Sequence, residues 1–400
     1  MRIHTTLILA AGDGDRFLPL KDKMRFRFGG VPLIRMIVEY AKKISETVIV
    51  VCSEQNIDKL KTDLEGTNIK YVVQQGNVGG MADAVLSAGS FLTQDVLVLN
   101  SNDLFDFEYL EKMIKETQYK HAEFGFLAQE RDVYFPGGYV VFEGDLPVAI
   151  MEKPEPNNVP SHFVKLTADY FPYPQLFIES LNSEKKGDDQ YEKALSLLLK
   201  KKNAVCMKYK GEWVTIKYSW QVLDVQDYVF KKLTKQHIDS SARIHKTALI
   251  EGAVHIGKNV AVGAYAKLSG PCFVEDGAII GDFSLVRNST IGKNALVGSG
   301  CEVARSHLSG GVMLHRNYVG DSVLSENVLM GAGAVTANFR FDKKAVKTPI
   351  KNQLVDSGRA KFGLIAGNNV KIGVNSILLP GIKLGEGALV MPGEVVSKDK

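Results

Sequence analysis

The sequence predicts an α/β domain followed by a stacked parallel β-helix, and two observations carry that prediction. From Thr5 to about Gln129, short apolar runs alternate with segments of helical spacing, the pattern of βαβ units on a largely parallel, Rossmann-like sheet. From Ile244 onward, aliphatic residues return at every sixth position with glycine or small residues between them, and a fixed short period marks a solenoid. The boundary is expected between residues 235 and 236, giving domains 1–235 and 236–400. A length of 400 residues exceeds one average domain and agrees with two.

Composition narrows the class. With 45% hydrophobic and 24% charged residues the chain reads as an ordinary globular protein. A net charge of +4 over this length gives no reason to expect nucleic acid as a partner. Cys52, Cys206, Cys272 and Cys301 are scattered without metal-ligand spacing, as in a reduced intracellular chain. The apolar run Leu7 to Ala11 is too short for a signal peptide, and no stretch approaches the ~20 apolar residues of a membrane span. A cytoplasmic protein with no membrane partner is expected.

In the first domain, strands are expected at Thr5 to Leu9, Thr47 to Cys52, Ile69 to Gln74, Val96 to Asn100 and Glu123 to Ala128. Helices are expected at Leu33 to Lys43, Ile57 to Leu64, Met81 to Phe91 and Phe107 to Gln118. Ligands of such sheets bind beyond the carboxyl ends of the strands, which directs attention to the loops there. The first strand runs into Ala10-Ala11-Gly12-Asp13-Gly14-Asp15-Arg16, with Lys23 following. Glycines let backbone N–H groups approach a polyanion and the cations neutralise it, although the glycines alone leave an ordinary turn equally open. Asp103 follows the fourth strand, a placement that suits a Mg²⁺ ligand and also a turn cap. Gly138 and Glu152 lie on two runs that read as a hairpin, with a carboxylate able to accept two hydroxyl hydrogen bonds.

A helix is expected from Val222 to Lys235 before the repeat begins. Ile244, Ile250, Ile256, Val262, Leu268, Val274, Ile280 and Val286 keep the period, one residue is dropped, and Ile291, Val297 and Val303 resume it. Leu324 and Met330, then Ile372, Leu378, Leu384, Val390 and Val396, fall in step later. The segment from Phe339 to about Lys361 is a non-repeating, cationic insertion, either a cover for substrate phosphates or solvated charge.

The Leu9-to-Lys23 stretch resembles the signature of the sugar-phosphate nucleotidyltransferases, and the repeat half resembles the acetyltransferase half of the bifunctional uridylyltransferase/glucosamine-1-phosphate acetyltransferases. The resemblance implies that Gly12 and Gly14 wrap a nucleoside triphosphate whose phosphates meet Arg16 and Lys23. It implies that Gln75 and Gly80 face the base, that Asp103 holds the catalytic Mg²⁺, and that Gly138 and Glu152 bind the sugar of a hexose 1-phosphate. In His315-Arg316-Asn317-Tyr318-Val319-Gly320-Asp321 it makes His315 the general base, a task suited to a pKa near neutrality. Tyr318 and Asn338 would contact the sugar phosphate or polarise the thioester, and Gly331-Ala332-Gly333 would meet acetyl-CoA. His307 is a second candidate base outside that motif.

Departures from the pattern are concentrated in the nucleotide half, with Leu329 in place of a polar residue in the repeat half. Asp15 and Asp22 add carboxylates beside the phosphates, which Lys21, Arg25 and Arg27 could offset. Met81 stands in place of threonine, Thr167 falls near the usual asparagine, and Thr215 replaces the second metal aspartate. Relatives of the repeat half form left-handed β-helices that assemble as trimers with active sites between prisms, so a homotrimer is expected. The expected activity is acetylation of glucosamine 1-phosphate by acetyl-CoA, followed by uridylyl transfer from UTP to yield UDP-N-acetylglucosamine and pyrophosphate. The alternatives are a nucleotidyltransferase for another hexose 1-phosphate with a purely structural β-helix, and an inert sugar-nucleotide-binding regulatory subunit.

Overall fold

The computed structural model describes all residues except Met1, Asp13, 77–79, Lys202 and Asn352. By packing, the chain divides into one unit of Met1–Asp13 and Leu33–Trp213 and another of Gly14–Pro32 and Val214–Lys400.

The first unit is a nine-stranded mixed sheet with helices against it. Its strands β1 (Ile3–Leu9), β2 (Ser45–Cys52), β3 (Lys70–Val73) and β4 (Val96–Asn100) pair in parallel in the order β4-β1-β2-β3. They are joined through α1 (Leu33–Ile44), α2 (Ile57–Asp63) and α3 (Gly80–Ser87). Leu7, Ile8, Ile49, Val50, Leu97 and Val98 are all buried, as expected for strands covered on both faces. The helix expected from Met81 to Phe91 stops at Ser87 and gives way to a 3₁₀ turn at Gly89–Phe91, where glycine weakens helix continuation.

Beyond α4 (Glu108–Tyr119) the sheet is largely antiparallel. β5 (Phe124–Glu130) does not extend the parallel series but lies antiparallel to β8 (Phe163–Phe171) and parallel to β9 (Ala204–Tyr209). The expected hairpin is present as β6 (Gly138–Glu143) and β7 (Leu146–Glu152), and Gly138 pairs directly with Glu152. α5 (Pro174–Ser183) and α6 (Gln190–Leu199) connect β8 to β9, and α6 lies along β7, where Ser196 Oγ accepts the Ile150 N–H at 2.9 Å.

The second unit is a left-handed β-helix of three eight-stranded parallel sheets. Register advances from His237 to His255 and then to Phe273, three hexapeptides per coil, and shortens by one residue from Phe273 to Thr290 where the period slips. Ile256, Val262, Leu268, Val274, Ile280, Val286, Ile291, Val297 and Val303 fill the interior. Corners turn through left-handed residues, repeatedly asparagine: Asn259, Asn294, Asn327, Asn369 and Asn375 have φ of 54° to 59°. α7 (Gln221–Phe230) is shorter than the expected Val222 to Lys235. With Phe26 and Phe28, α7 covers the sheet face that carries His307. The insertion forms a hairpin of Lys347–Ile350 and Gln353–Asp356, closed at its base by a bridge between Phe339 and Lys361.

Candidate active sites

In the second unit, Gly14 adopts φ +71° and opens a 3₁₀ turn at Asp15–Phe17. A second turn, Lys23–Arg25, returns the chain so that a Cβ on Gly14 would lie 3.8 Å from Lys23 Cδ and Cε. Buried Phe17, Leu20, Met24 and Phe26 anchor the loop and leave its polar groups outward. Arg16 lies 6.0 Å from the Tyr218 ring centroid. Lys351 of the insertion meets Asp15 at 3.3 Å, and Arg25 reaches Asp22 at 4.0 Å. Lys21 still attracts Asp22, but its main partner is Glu386 at 2.6 Å, and Arg27 pairs with Glu275 at 3.8 Å, both on the β-helix. Gly12 follows β1 in the first unit and is exposed. Asp13 lies outside the described residues.

The first unit carries the residues expected at base, sugar and metal. Gln75 is exposed after β3, its N–H held by Ser87 Oγ at 2.8 Å, and Gly80 opens α3 with φ +93°. Residues 77–79 of that motif lie outside the described residues. Met81 and Thr167, the two departures beside it, touch one another, with Thr167 Oγ1 3.8 Å from Met81 Sδ. Gly138 and Glu152 face each other across the hairpin, and Lys153 holds Glu152 Oε1 at 3.0 Å. Close by, Lys165 Nζ and Tyr191 OH each donate to Asp169 Oδ2 at 2.7 Å. The sequence reading missed this buried network, although residues four apart on one strand share a face and signal Lys165 with Asp169.

Asp103 is 4% exposed. Half-buried Arg131 lies within its electrostatic reach and stacks on Trp213 with the guanidinium carbon 4.7 Å from the ring. Burial lowers the pKa of Arg131 and the Asp103 carboxylate counters that shift. Among the described residues no group of three or more His, Cys, Asp or Glu could hold a metal. One carboxylate nevertheless suits Mg²⁺ that arrives on a triphosphate and keeps phosphate and water oxygens as its other ligands. In the second unit, Thr215 is buried and its hydroxyl oxygen has no hydrogen-bond partner among the described residues.

The acyl-transfer candidates gather at one corner of the β-helix. His315 follows the strand Met313–Leu314 and is exposed, its N–H bound to Asn317 Oδ1 at 2.5 Å. Asn317 Nδ2 donates to Gly331 O at 2.8 Å and Ala334 O at 2.9 Å, fixing the His315 turn against the Gly331-Ala332-Gly333 turn of the next coil. Glycine is required there, because a Cβ on Gly331 would lie 2.7 Å from Val374 N. Asn338 Nδ2 donates to Tyr318 OH at 3.1 Å and Asp321 Oδ2 at 2.5 Å. Arg305, which the sequence reading did not single out, grips Asp321 through two hydrogen bonds of 2.7 and 2.6 Å. His307 is enclosed by Phe26, Phe28 and Gln226, and burial lowers its pKa to about 3. An enclosed histidine of this kind is no general base.

The nucleotidyl transferase family profile matches residues 5–220. The GMPPB C-terminal domain profile matches 233–355, and that of the hexapeptide repeat of succinyl-transferase matches 363–398. A bifunctional sugar-1-phosphate nucleotidylyltransferase/acetyltransferase of Sulfurisphaera tokodaii is 30% identical over 98% of this chain and 97% of its own. The bifunctional protein GlmU of Methanocaldococcus jannaschii is 28% identical over 98% of this chain and 95% of its own. In fold, a UDP-glucose pyrophosphorylase solved with UDP-glucose superposes on 57% of this chain and 99% of its own, with a TM-score of 0.50 and 20% identity. With two such halves in one order along nearly all of its length, the chain is an enzyme that belongs to the family of bifunctional sugar-1-phosphate nucleotidylyltransferase/acetyltransferases.

Proposed function

We propose that this enzyme acetylates glucosamine 1-phosphate with acetyl-CoA and transfers uridylyl from UTP to the product, giving UDP-N-acetylglucosamine and pyrophosphate. The observation that carries the reading is the corner at which an exposed histidine, the Tyr318–Asn338 hydrogen bond and a glycine turn are tied together by Asn317. His315 takes the proton from the sugar amine as its nitrogen attacks the thioester carbonyl, and the CoA thiolate leaves. Tyr318 and Asn338 contact the sugar phosphate or polarise that carbonyl, and the backbone of Gly331, Ala332 and Gly333 meets acetyl-CoA.

In the second reaction a phosphate oxygen of the sugar 1-phosphate attacks the α-phosphorus in line and pyrophosphate departs. Arg16 and Lys23 neutralise the phosphates, with Gly12 and Gly14 allowing close backbone approach. Gln75 and Gly80 take the base, and Gly138 and Glu152 the sugar. Asp103 would hold Mg²⁺, which when bound supplies charge neutralisation on the phosphates. We place the enzyme in the cytoplasm as a homotrimer joined through the β-helix.

Met81, which stands where a threonine is expected and packs against Thr167, favours a second reading, transfer to another hexose 1-phosphate, because it removes one polar group expected at the base. One paired assay tests both readings: thiol release from acetyl-CoA with glucosamine 1-phosphate, and pyrophosphate release across nucleotides and hexose 1-phosphates. Lys23→Ala is expected to lower the second by about a hundredfold and leave the first. His315→Ala is expected to lower the first by about a hundredfold or more and leave the second. Thiol release that survives His315→Ala rejects the assigned base.

A further inference from the structure

The open end of the β6–β7 hairpin is bounded by a side chain that no motif identifies. α6 lies along β7, and its first turn carries Glu192 over the pair Gly138 and Glu152. A Cβ built on Gly138 would lie 2.9 Å from Ile150 Cγ2, 3.5 Å from Glu152 Oε2 and 3.6 Å from Glu192 Cγ. A side chain on Gly138 would collide with Ile150 and meet both glutamates, so the two carboxyl side chains flank one glycine.

Glu192 is 4% exposed, and its Oε2 has no hydrogen-bond partner among the described residues. Neighbouring donors are committed elsewhere. Lys165 binds Asp169 Oδ2 at 2.7 Å and Leu166 O at 3.0 Å, Tyr191 OH binds the same Asp169 oxygen at 2.7 Å, and Lys153 pairs with Glu152 and Asp188. A buried carboxyl oxygen without a partner is costly to fold, and an exception of this kind calls for a ligand that satisfies it. A leucine would pack in the first turn of α6 without that cost.

We propose that Glu192 is a specificity-determining residue of the hexose site, hydrogen-bonding an oxygen on the ring carbon next to the one whose hydroxyl Glu152 accepts. The inference rests on the reading of Gly138 and Glu152 as the sugar-binding pair. Burial, and then the charge of Glu152, push the Glu192 carboxyl up to about 8 against the opposing pull of Lys165. At neutral pH Glu192 is thus an acid with one O–H to donate. The pair then reads two neighbouring sugar positions, a stricter demand than either carboxyl makes alone.

The test uses the full chain, with pyrophosphate release from its best hexose 1-phosphate and from the monodeoxy analogues of that sugar. Wild type, Glu192→Leu and Glu192→Gln are compared, each checked for a thermal transition no lower than that of wild type and for thiol release. The expected result is that wild type discriminates about tenfold or more against two adjacent deoxy positions, and that Glu192→Leu loses one of these discriminations to within about threefold. In that variant the KM for sugar rises and the KM for nucleotide holds, while Glu192→Gln, which keeps a donor and an acceptor, retains most of the discrimination. A Glu192→Leu enzyme with the full wild-type pattern overturns the proposal, as does an equal shift of both KM values. Wild type that turns over no hexose 1-phosphate overturns the sugar-site reading beneath it, and that outcome is seen before any variant is made.

Discussion

His307 and Glu192 are both buried and both hold the neutral form, yet they act on stability with opposite slopes against pH. The unfolded chain protonates His307 near 6.5, and the folded chain resists protonation down to about 3. Stability is therefore fully present above about 6.5 and is lost as pH falls through that window. For Glu192 the folded chain keeps a proton that the unfolded chain releases near 4.5, so stability falls as pH rises from there to about 8. Among the charged groups around it, Glu152 and Asp169 raise its pKa and Lys165 lowers it, so the slope belongs to that cluster. Denaturant melts at several pH values check both signs. The advantage of wild type over His307→Gln should shrink on acidification, and that of Glu192→Gln over wild type should grow on alkalinisation, each by at most about 1.4 kcal/mol per pH unit. Neither environment was legible from the sequence. A glutamate in the first turn of a helix is an ordinary favourable charge, and a histidine within a repeat gives no sign of what covers it.

The elements were legible wherever a local period specifies them. Six-residue spacing fixed which side chains of the β-helix face inward, since Ile256 to Val303 in that phase are buried, and the two apolar runs at Gly138 and Glu152 are the hairpin they also read as. Contacts between segments remote in sequence were not legible. The reach of Phe26 and Phe28 to His307 belongs to this group, as does the pairing of β5 with β8 and β9, because pairing order depends on tertiary packing. The insertion shows the same limit. Its cationic composition suggested a phosphate cover, yet Arg359 bonds Asp224 of α7, Thr348 Oγ1 bonds Gly381 O at 2.9 Å and Lys351 meets Asp15, so several polar side chains serve as fastenings. Burial raises the pKa of Asp224 and Arg359 opposes it. Arg359→Met should therefore cost about 1 to 2 kcal/mol by leaving a part-buried carboxylate uncompensated. Adding Asp224→Leu should recover most of that loss. Chemical denaturation of the two single variants and the double variant measures the coupling.

At the scale of the whole molecule, the β-helix presents an apolar surface that a single chain leaves in water. One sheet is covered by α7 and Phe26 and Phe28, but along another the outward positions run Ala261, Ile279, Leu296, Met313, Leu329, Lys371 and Leu389 in register. Ile279, Met313, Leu329 and Leu389 are 38% to 62% exposed. A contiguous stripe of this kind marks an association surface, and self-association of a three-sided prism closes most simply around a threefold axis. His315 lies two residues beyond Met313 on the same strand end, so association along this stripe brings a second copy beside the proposed general base. Acetyl transfer should then depend on assembly, whereas residues assigned to nucleotidyl transfer lie elsewhere in the chain. Light scattering of the purified protein should give three chains per particle, and the pair Ile279→Asp and Met313→Asp should reduce it to one. In the dissociated protein, thiol release should fall by about tenfold or more with pyrophosphate release little changed. A monomer that keeps both activities would show that each chain completes its acetyl-transfer site alone.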